Sequence, residues 1–248
     1  MKSTSETGHA KNLANFNELI SVVKGYKTSY NPSNETIKLP AMQSLAGVAQ
    51  NAIHDVNVAI PAHNIAVAAR ETAFEPLSKL ATRILNAVKA SGASKQIEEN
   101  VTSLVKKLQG KRIGPKRTDE QKAEAEAEGK EVKEHSTSQM SYDSRAENFD
   151  KLIQLLTSIA EYTPNEPELT PESLLIYQAQ LLATSGPVAA ASTGLSNARL
   201  ARNEVLYQPI TGLVDVAANV KTYIKSLYGA TSPQYKQVSK LTFVNGLR

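Results

Sequence analysis

The sequence predicts an all-α protein of about eight helices in a bundle, formed by tandem duplication of a roughly four-helix unit. Three observations support this prediction: apolar residues recur every three to four positions, landmarks of the first half return in the second, and strand-like alternation is sustained nowhere. The chain has 248 residues, with 5% aromatic residues, 21% charged residues and 0 cysteines. This length can bury a core without covalent links, and the lack of cysteine excludes a disulfide scaffold, thiolate metal sites and cysteine nucleophiles.

The second half of the chain resembles the first at an offset of about 133 residues. The matched landmarks, in chain order, are Phe16 with Phe149, Tyr30 with Tyr162, Pro40 with Pro171, Phe74 with Tyr207 and Gly92 with Gly229. Any one match is weak, but together they preserve both order and spacing. We therefore predict two helical repeats, over residues 1–110 and 138–248, with a charged linker or arm over 111–137.

Each repeat begins with an amphipathic helix followed by a polar loop. The apolar stripes are Leu13, Phe16, Leu19 and Val23 in the first repeat and Phe149, Leu152, Leu156 and Ile159 in the second. Both stripes end near a tyrosine and a proline, and the loops that follow are rich in Pro, Asn, Ser and Glu. Pro40 and Pro171 are then well placed in the first turn of a second helix.

The second helix of each repeat is unusual because it carries almost no charge. Residues 39–69 contain one charged residue, Asp55, and residues 173–198 contain none. A helix that lacks a charged face is expected to be surrounded by protein, so we predict that these are the most buried segments. Pro61 and Pro187 are expected to kink or break them.

The third and fourth helices complete each repeat. The third is predicted to start near Pro76 in one repeat and near Pro209 in the other, with an apolar stripe in both. The fourth has a narrow seam, Ile97, Val101, Leu104/Val105 and Leu108, in the first repeat. In the second repeat, Ser232 and Pro233 predict a helix start.

The stretch between the repeats is segregated by charge. It is basic from Lys106 to Arg117 and acidic from Asp119 to Glu134. An arm of this kind can pair head to tail with the arm of a neighbouring copy, and the alternative is that it is only a solvated connector. The candidate association residues are Lys106, Lys107, Lys111, Arg112, Lys116, Arg117, Glu124, Glu126 and Glu128. A nucleic-acid partner is not expected, because the basic run has no interleaved aromatic residues and acids follow at once.

No pattern in the sequence predicts catalysis. The four histidines, His9, His54, His63 and His135, have no metal-ligand spacing. Glycine-rich phosphate loops and the Gly-x-Ser-x-Gly motif are absent. We therefore predict no catalytic, metal or cofactor-binding residue and a protein that is not an enzyme.

These features favour a structural or interaction protein that forms homo-oligomers through a helical bundle. Two alternatives stay open: a helical pore-forming or membrane-remodelling protein that releases the uncharged segment 173–198, and a carrier of a small apolar ligand between the central helices. The first residues are polar and lack an apolar signal segment, so a cytoplasmic location is expected.

Two segments carry a resemblance to known proteins. They are residues 2–16, which end at Asn15-Phe16, and residues 138–149, which end at Asn148-Phe149. With these segments the chain resembles a group of uncharacterised bacterial proteins of similar length, typical of flavobacteria and their relatives. The resemblance implies a bacterial origin and a duplicated helical design, and it implies no activity, ligand or catalytic residue.

Overall fold

The computed structural model describes residues 8–111 and 140–246. These residues contain nine α-helices and no strand, which confirms the predicted all-α class. The helices are α1 (His9–Gly25), α2 (Leu39–Phe74), α3 (Leu77–Ala90), α4 (Lys95–Leu108), α5 (Tyr142–Thr157), α6 (Pro171–Ala183), α7 (Ser185–Tyr207), α8 (Leu213–Tyr228) and α9 (Pro233–Ser239). Three short 3₁₀ turns, η1 (Lys27–Ser29), η2 (Glu35–Ile37) and η3 (Pro167–Leu169), lie in the loops.

Several helices begin where the sequence supplies a side-chain cap. The hydroxyl oxygens of Ser94, Ser141, Thr170 and Ser232 each accept a hydrogen bond from a backbone N–H in the first turn that follows. These bonds satisfy donors that a helix start otherwise leaves free. Pro171 and Pro233 occupy the first turns of α6 and α9, as predicted, because proline lacks only an N–H that is unpaired there in any case.

The chain forms two compact units, and each takes segments from both halves of the sequence. Unit 1 comprises Met1–Ile65 with Ala190–Arg248, and unit 2 comprises Ala66–Ala189. The boundaries fall inside α2 and α7. The units therefore differ from the contiguous ranges 1–110 and 138–248, because a long helix carries the chain across each boundary. All of the 111–137 arm except Lys111 lies outside the described residues.

Unit 1 packs α1 and α9 against α8, with η2 also on α8. Its most enclosed side chains include Phe16, Leu19, Met42, Leu213 and Val220. In unit 2, α3 packs on α4, α4 on α5, and α5 on α6. The core of that unit includes Leu77, Ile84, Leu108, Phe149 and Leu174. Each core is continuous and apolar, so burial of the amphipathic stripes holds each unit together.

Local features recur at matched positions of the two halves. Phe16 and Phe149 are both 0% exposed, which confirms the predicted burial of both rings. The Tyr30 hydroxyl donates to the Ile37 carbonyl at 2.7 Å, and the Tyr162 hydroxyl donates to the Leu169 carbonyl at 2.8 Å. In each case the tyrosine ties the loop to the 3₁₀ turn that follows. Common origin of the two halves stays a prediction.

The predicted burial of the uncharged segments is wrong. Within 39–69 the buried side chains are limited to Met42, Ala46, Ala49, Ala52 and Val56, and none of residues 57–69 is buried. Within 173–198 they are limited to Leu174, Leu181, Val188 and Leu195. In comparison, α1 buries seven of its 17 residues. The inference failed because a helix needs only one apolar stripe to pack against protein, and the absence of charge elsewhere does not supply a neighbour.

The two prolines inside these segments act differently. Helix α2 continues through Pro61 without a break, whereas the second segment is divided at Thr184 into α6 and α7. Pro187 then lies in the first turn of α7, where the missing N–H costs little. The division at Thr184 is why the described residues contain one helix more than the eight predicted.

Candidate interaction surface

The predicted association arm is only partly described. Lys106 and Lys107 lie half-buried in the last turn of α4, where positive charge is favoured by the helix dipole, and Lys111 is exposed just beyond it. The other predicted residues, Arg112, Lys116, Arg117, Glu124, Glu126 and Glu128, lie outside the described residues. The arm therefore stays a prediction.

The described residues contain no group of three or more His, Asp and Glu side chains that could hold a metal ion. Of the histidines, His54 is exposed and His63 half-buried on α2, His9 is buried in unit 1, and His135 lies outside the described residues.

Helix α2 presents an exposed stripe that is almost free of charge. The stripe consists of Ser44, Val48, Asn51, Asp55, Val58, Ala62 and Ile65, and we call it the α2 face. Its positions are separated alternately by four and three residues, so they follow one side of the helix. Val48 is 49%, Val58 58% and Ile65 69% exposed. Asp55 is the one charged residue of this stripe.

A groove in unit 1 adjoins the α2 face at its N-terminal end. It has a volume of about 520 Å³ and is bounded by α2 on one side and by the end of α7 on the other. Ala41, Ser44 and Val48 line the α2 side, and Val205 and Gln208 line the α7 side. Because Ser44 and Val48 belong to both features, the groove and the α2 face form one continuous surface.

Unit 2 has an exposed apolar stripe of its own on α6. Leu175, Ile176 and Leu182 are 43%, 62% and 54% exposed, and Ala179 lies exposed between them. We call these four residues the α6 face. The other side of the same helix buries Leu174 and Leu181 in the core. Helix α6 is thus apolar on both sides, a pattern typical of a helix with a second partner.

Unit 2 also holds a groove of about 490 Å³ beside α6. Pro76, Leu80, Leu174 and Tyr177 supply most of its apolar lining. An ion pair between Arg83 and Glu168 lies at its edge. The Tyr177 hydroxyl donates to the Ala73 carbonyl at 2.7 Å, so the aromatic ring is held in place.

A buried polar cluster in unit 1 connects residues 242–246, which we call the C-terminal segment, to α1 by hydrogen bonds. His9 Nδ1 and the Tyr207 hydroxyl lie 2.7 Å apart, a hydrogen-bond distance. The Asn12 amide donates to the Val244 carbonyl at 2.8 Å and its oxygen accepts from the Val244 N–H at 3.0 Å. The Asn15 amide donates to the Thr242 carbonyl at 2.6 Å. Both asparagines thus bond to this segment, which indicates a structural role for the cluster.

Burial raises the pKa of Tyr207, and the hydrogen bond from Asn12 and the charge of Arg202 offset part of that rise. Sequence reasoning missed this cluster. The available signal was the position of Asn12 and Asn15 on the apolar side of α1, next to Leu13 and Phe16. A buried amide needs hydrogen-bond partners, so two such residues on a core-facing stripe indicate a backbone segment that packs against them.

No helix of the described residues combines the length and hydropathy needed to span a membrane. Comparison of the chain with protein-family models, curated proteins and solved structures finds no match.

Proposed function

We propose that this protein is a non-enzymatic interaction protein that forms homo-oligomers through the exposed apolar faces of its helices. The supporting observation is that six large apolar side chains of the α2 and α6 faces are at least 43% exposed, with Asp55 the one charged residue among those positions. Contiguous exposed apolar surface of this kind marks an interaction site. A cytoplasmic location belongs to the same proposal.

Association between identical copies suits these faces better than association with a highly charged partner. In a symmetric dimer each face meets itself, so a face with several like charges would repel its own copy. The α6 face has no charged residue, and the α2 face has only Asp55. Interface centres in known complexes are likewise depleted in charge.

Light scattering over a range of protein concentrations tests this proposal. We expect the average mass of the wild type to rise with concentration and the rise to be lost in the Val58→Glu variant. Val244→Glu is a matched control, since Val244 is 63% exposed and belongs to neither face. A wild type that stays monomeric at every concentration would refute the proposal, and equal effects of the two substitutions would refute the role of the α2 face.

Salt separates association through the apolar faces from association through the predicted charged arm. Pairing between exposed charges is screened within about 3 Å at 1 M salt, whereas burial of apolar surface is not weakened by screening. Association through the faces should therefore persist at 1 M salt. It should also survive replacement of Lys111, Arg112, Lys116 and Arg117 by glutamate, whereas association through the arm should fail both tests.

A second candidate function is transport of a small apolar ligand. The groove of about 490 Å³ beside α6 falls within the usual size range of small-molecule sites and has a mainly apolar lining. Extraction of the purified protein followed by mass spectrometry would show a bound ligand at a fixed ratio. The pore-forming alternative rests on exposed Leu175, Ile176 and Leu182 within 173–198, and leakage from liposomes tests it directly.

A further inference from the structure

We infer that two copies of the chain pair through their α2 faces in antiparallel orientation, with Asn51 of each copy beside the partner's Asp55. This inference rests on the proposed function and specifies the occupant of one of its faces, a second copy of the same helix. It follows from three features of the α2 face: its spacing, the position of its single charge, and the groove at its end.

The spacing of the α2 face is that of a two-helix coiled coil. Its seven positions alternate in steps of four and three residues, an average of 3.5, which keeps a seam facing a partner helix. From Ser44 to Ile65 the seam extends for about 32 Å at 1.5 Å per residue. Exposed Gly47 next to the seam carries no side chain that would hold a second helix away.

The single charge selects the orientation. In a parallel pair in register, Asp55 would lie against the partner's Asp55, and two carboxylates facing each other repel. An antiparallel pair whose two-fold axis passes beside residue 53 instead places Asp55 next to the partner's Asn51. The amide there can donate to the carboxylate, and symmetry repeats this hydrogen bond on the other side of the axis.

The same register matches the remaining positions by size and polarity. Val48 meets the partner's Val58, and Ser44 meets the partner's Ala62. Sliding one helix by seven residues in one direction would set Asp55 against the partner's Val58, which would bury the carboxylate without a partner. Sliding it in the other direction would set Asn51 against the partner's Val48, which would bury the amide without a partner. Polar groups thus fix the register, as they do in many coiled coils.

The groove in unit 1 supplies the third feature. In the chosen register, Ile65 reaches the partner helix opposite the partner's Ala41. In each copy, Ala41, Ser44 and Val48 line the groove of about 520 Å³. Ile65 is the most exposed side chain among the large apolar residues of the α2 face, at 69%. The register therefore brings the residue with most exposed apolar surface to the nearest concave site, once at each end of the seam.

Cysteine crosslinking tests the register, because the chain contains 0 cysteines of its own. Val48→Cys and Val58→Cys proteins are oxidised separately and then as a mixture of the two. Disulfides need Cα atoms within about 7 Å, which the proposed register provides between position 48 and the partner's position 58 only. We expect crosslinked dimers in the mixture and none in either protein alone. Crosslinking of each protein alone would show parallel pairing and overturn the inference.

Exchange of the two polar residues provides an independent test. Asn51→Asp places an acid opposite the partner's Asp55 and should weaken association at least about tenfold. The double variant Asn51→Asp with Asp55→Asn restores one acid and one amide in each pair, so it should associate as the wild type does. A parallel dimer would instead retain repulsion in the double variant.

The two levels of the proposal fail in different ways. A dimeric wild type that gives no crosslink in the mixture, or whose exchange variant is not restored, overturns the α2 pairing and leaves self-association standing. A wild type that is monomeric at all concentrations overturns both.

Discussion

Units 1 and 2 attach their first helix by different chemistry at matched positions. In unit 1, α1 contributes His9 and Asn12, which lie against Tyr207 and the C-terminal segment. In unit 2, the corresponding residues of α5 are Tyr142 and Arg145. The Tyr142 ring contacts Phe74 edge-on at 4.9 Å, and the Arg145 guanidinium carbon lies 5.4 Å from the centre of the Phe74 ring.

The difference shows that the two units share the packing of their apolar stripes but not their polar contacts. Both units enclose a phenylalanine of the first helix completely, at Phe16 and Phe149. Around that shared element, unit 1 uses hydrogen bonds and unit 2 uses aromatic and cation–π contacts. The hydrogen bonds of unit 1 hold the C-terminal segment on α1, and the described residues of unit 2 contain no counterpart of that contact.

The largest expected effect on stability comes from truncating the enclosed phenylalanine of the first helix in each unit. Phe16→Ala and Phe149→Ala should each lower the free energy of unfolding by about 3–5 kcal/mol, because each removes a fully enclosed ring and leaves a cavity. Urea denaturation followed by circular dichroism measures both values. Leu227→Ala, at a side chain 41% exposed on α8, serves as the control and should have a much smaller effect. A loss below about 1 kcal/mol for either phenylalanine would contradict equivalent burial.

Loss of the hydrogen bonds between Asn12 and the C-terminal segment should have the next largest effect on the free energy of unfolding. Asn12→Ala removes both hydrogen bonds to Val244 and should cost about 1–3 kcal/mol. Hydrogen exchange at residues 242–246 should accelerate, since the segment loses its anchor on α1. Asn17→Ala, an exposed position of the same helix, is the control. Unchanged exchange in the Asn12 variant would show that the cluster does not hold the segment.

The features behind these two predictions differ in how far the sequence predicts them. Helical spacing identified the stripes around Phe16 and Phe149, and Pro40, Pro171 and Ser232 located helix starts. Periodicity shows which side of a helix is apolar, but not which distant segment packs against it. The contact of α1 with α8 and the mixed make-up of the units were therefore beyond the sequence argument.

The candidate surface was missed for a related reason. The uncharged composition of 39–69 was interpreted as burial, although the alternating spacing from Ser44 to Ile65 was already visible. Among the described residues, the chain supplies a packing neighbour for α2 on the opposite side of the helix, where Met42, Ala49 and Val56 are buried. The groove in unit 1 depends on α2 and α7 meeting, which no local pattern encodes.

The two loop tyrosines should respond alike to mutation and to pH. Tyr30→Phe and Tyr162→Phe each leave a buried carbonyl without its donor, at an expected cost of about 1 kcal/mol. Burial raises the pKa of Tyr162 to about 12, with a further contribution from Glu166, and burial followed by Tyr223 raises the pKa of Tyr30. Unfolded tyrosine titrates near 10, so the folded state holds these protons longer.

The stability contributed by the Tyr162 proton is therefore complete below about pH 10 and is lost as pH rises from about 10 through 12. The contribution of the Tyr30 proton also begins to fall above about pH 10. Denaturation curves at several pH values should show this loss in the wild type. The loss should be smaller when both tyrosines are replaced by phenylalanine. An equal pH dependence in the two proteins would contradict the assignment.

The smallest expected effect lies in a loop that differs between the units. Three residues, Ile210–Gly212, separate Pro209 from α8, whereas Pro76 leads directly into α3. Ile210 has a φ of 73°, which is unfavourable for a β-branched residue, and its side chain is 73% exposed. Ile210→Gly should raise the free energy of unfolding by about 0.5–1 kcal/mol. Thermal denaturation measures the change, and a lower melting temperature would refute it.

The claim that each compact unit is built from both halves of the chain has one most direct test. A protease recognition sequence is inserted between residues 112 and 139, the protein is cleaved, and the product is analysed by native size-exclusion chromatography with light scattering. Because unit 1 needs both 1–65 and 190–248, we predict that the two fragments stay together with unchanged helix content and separate only in denaturant. Two fragments that separate without denaturant, each still helical and cooperatively folded, would contradict this arrangement.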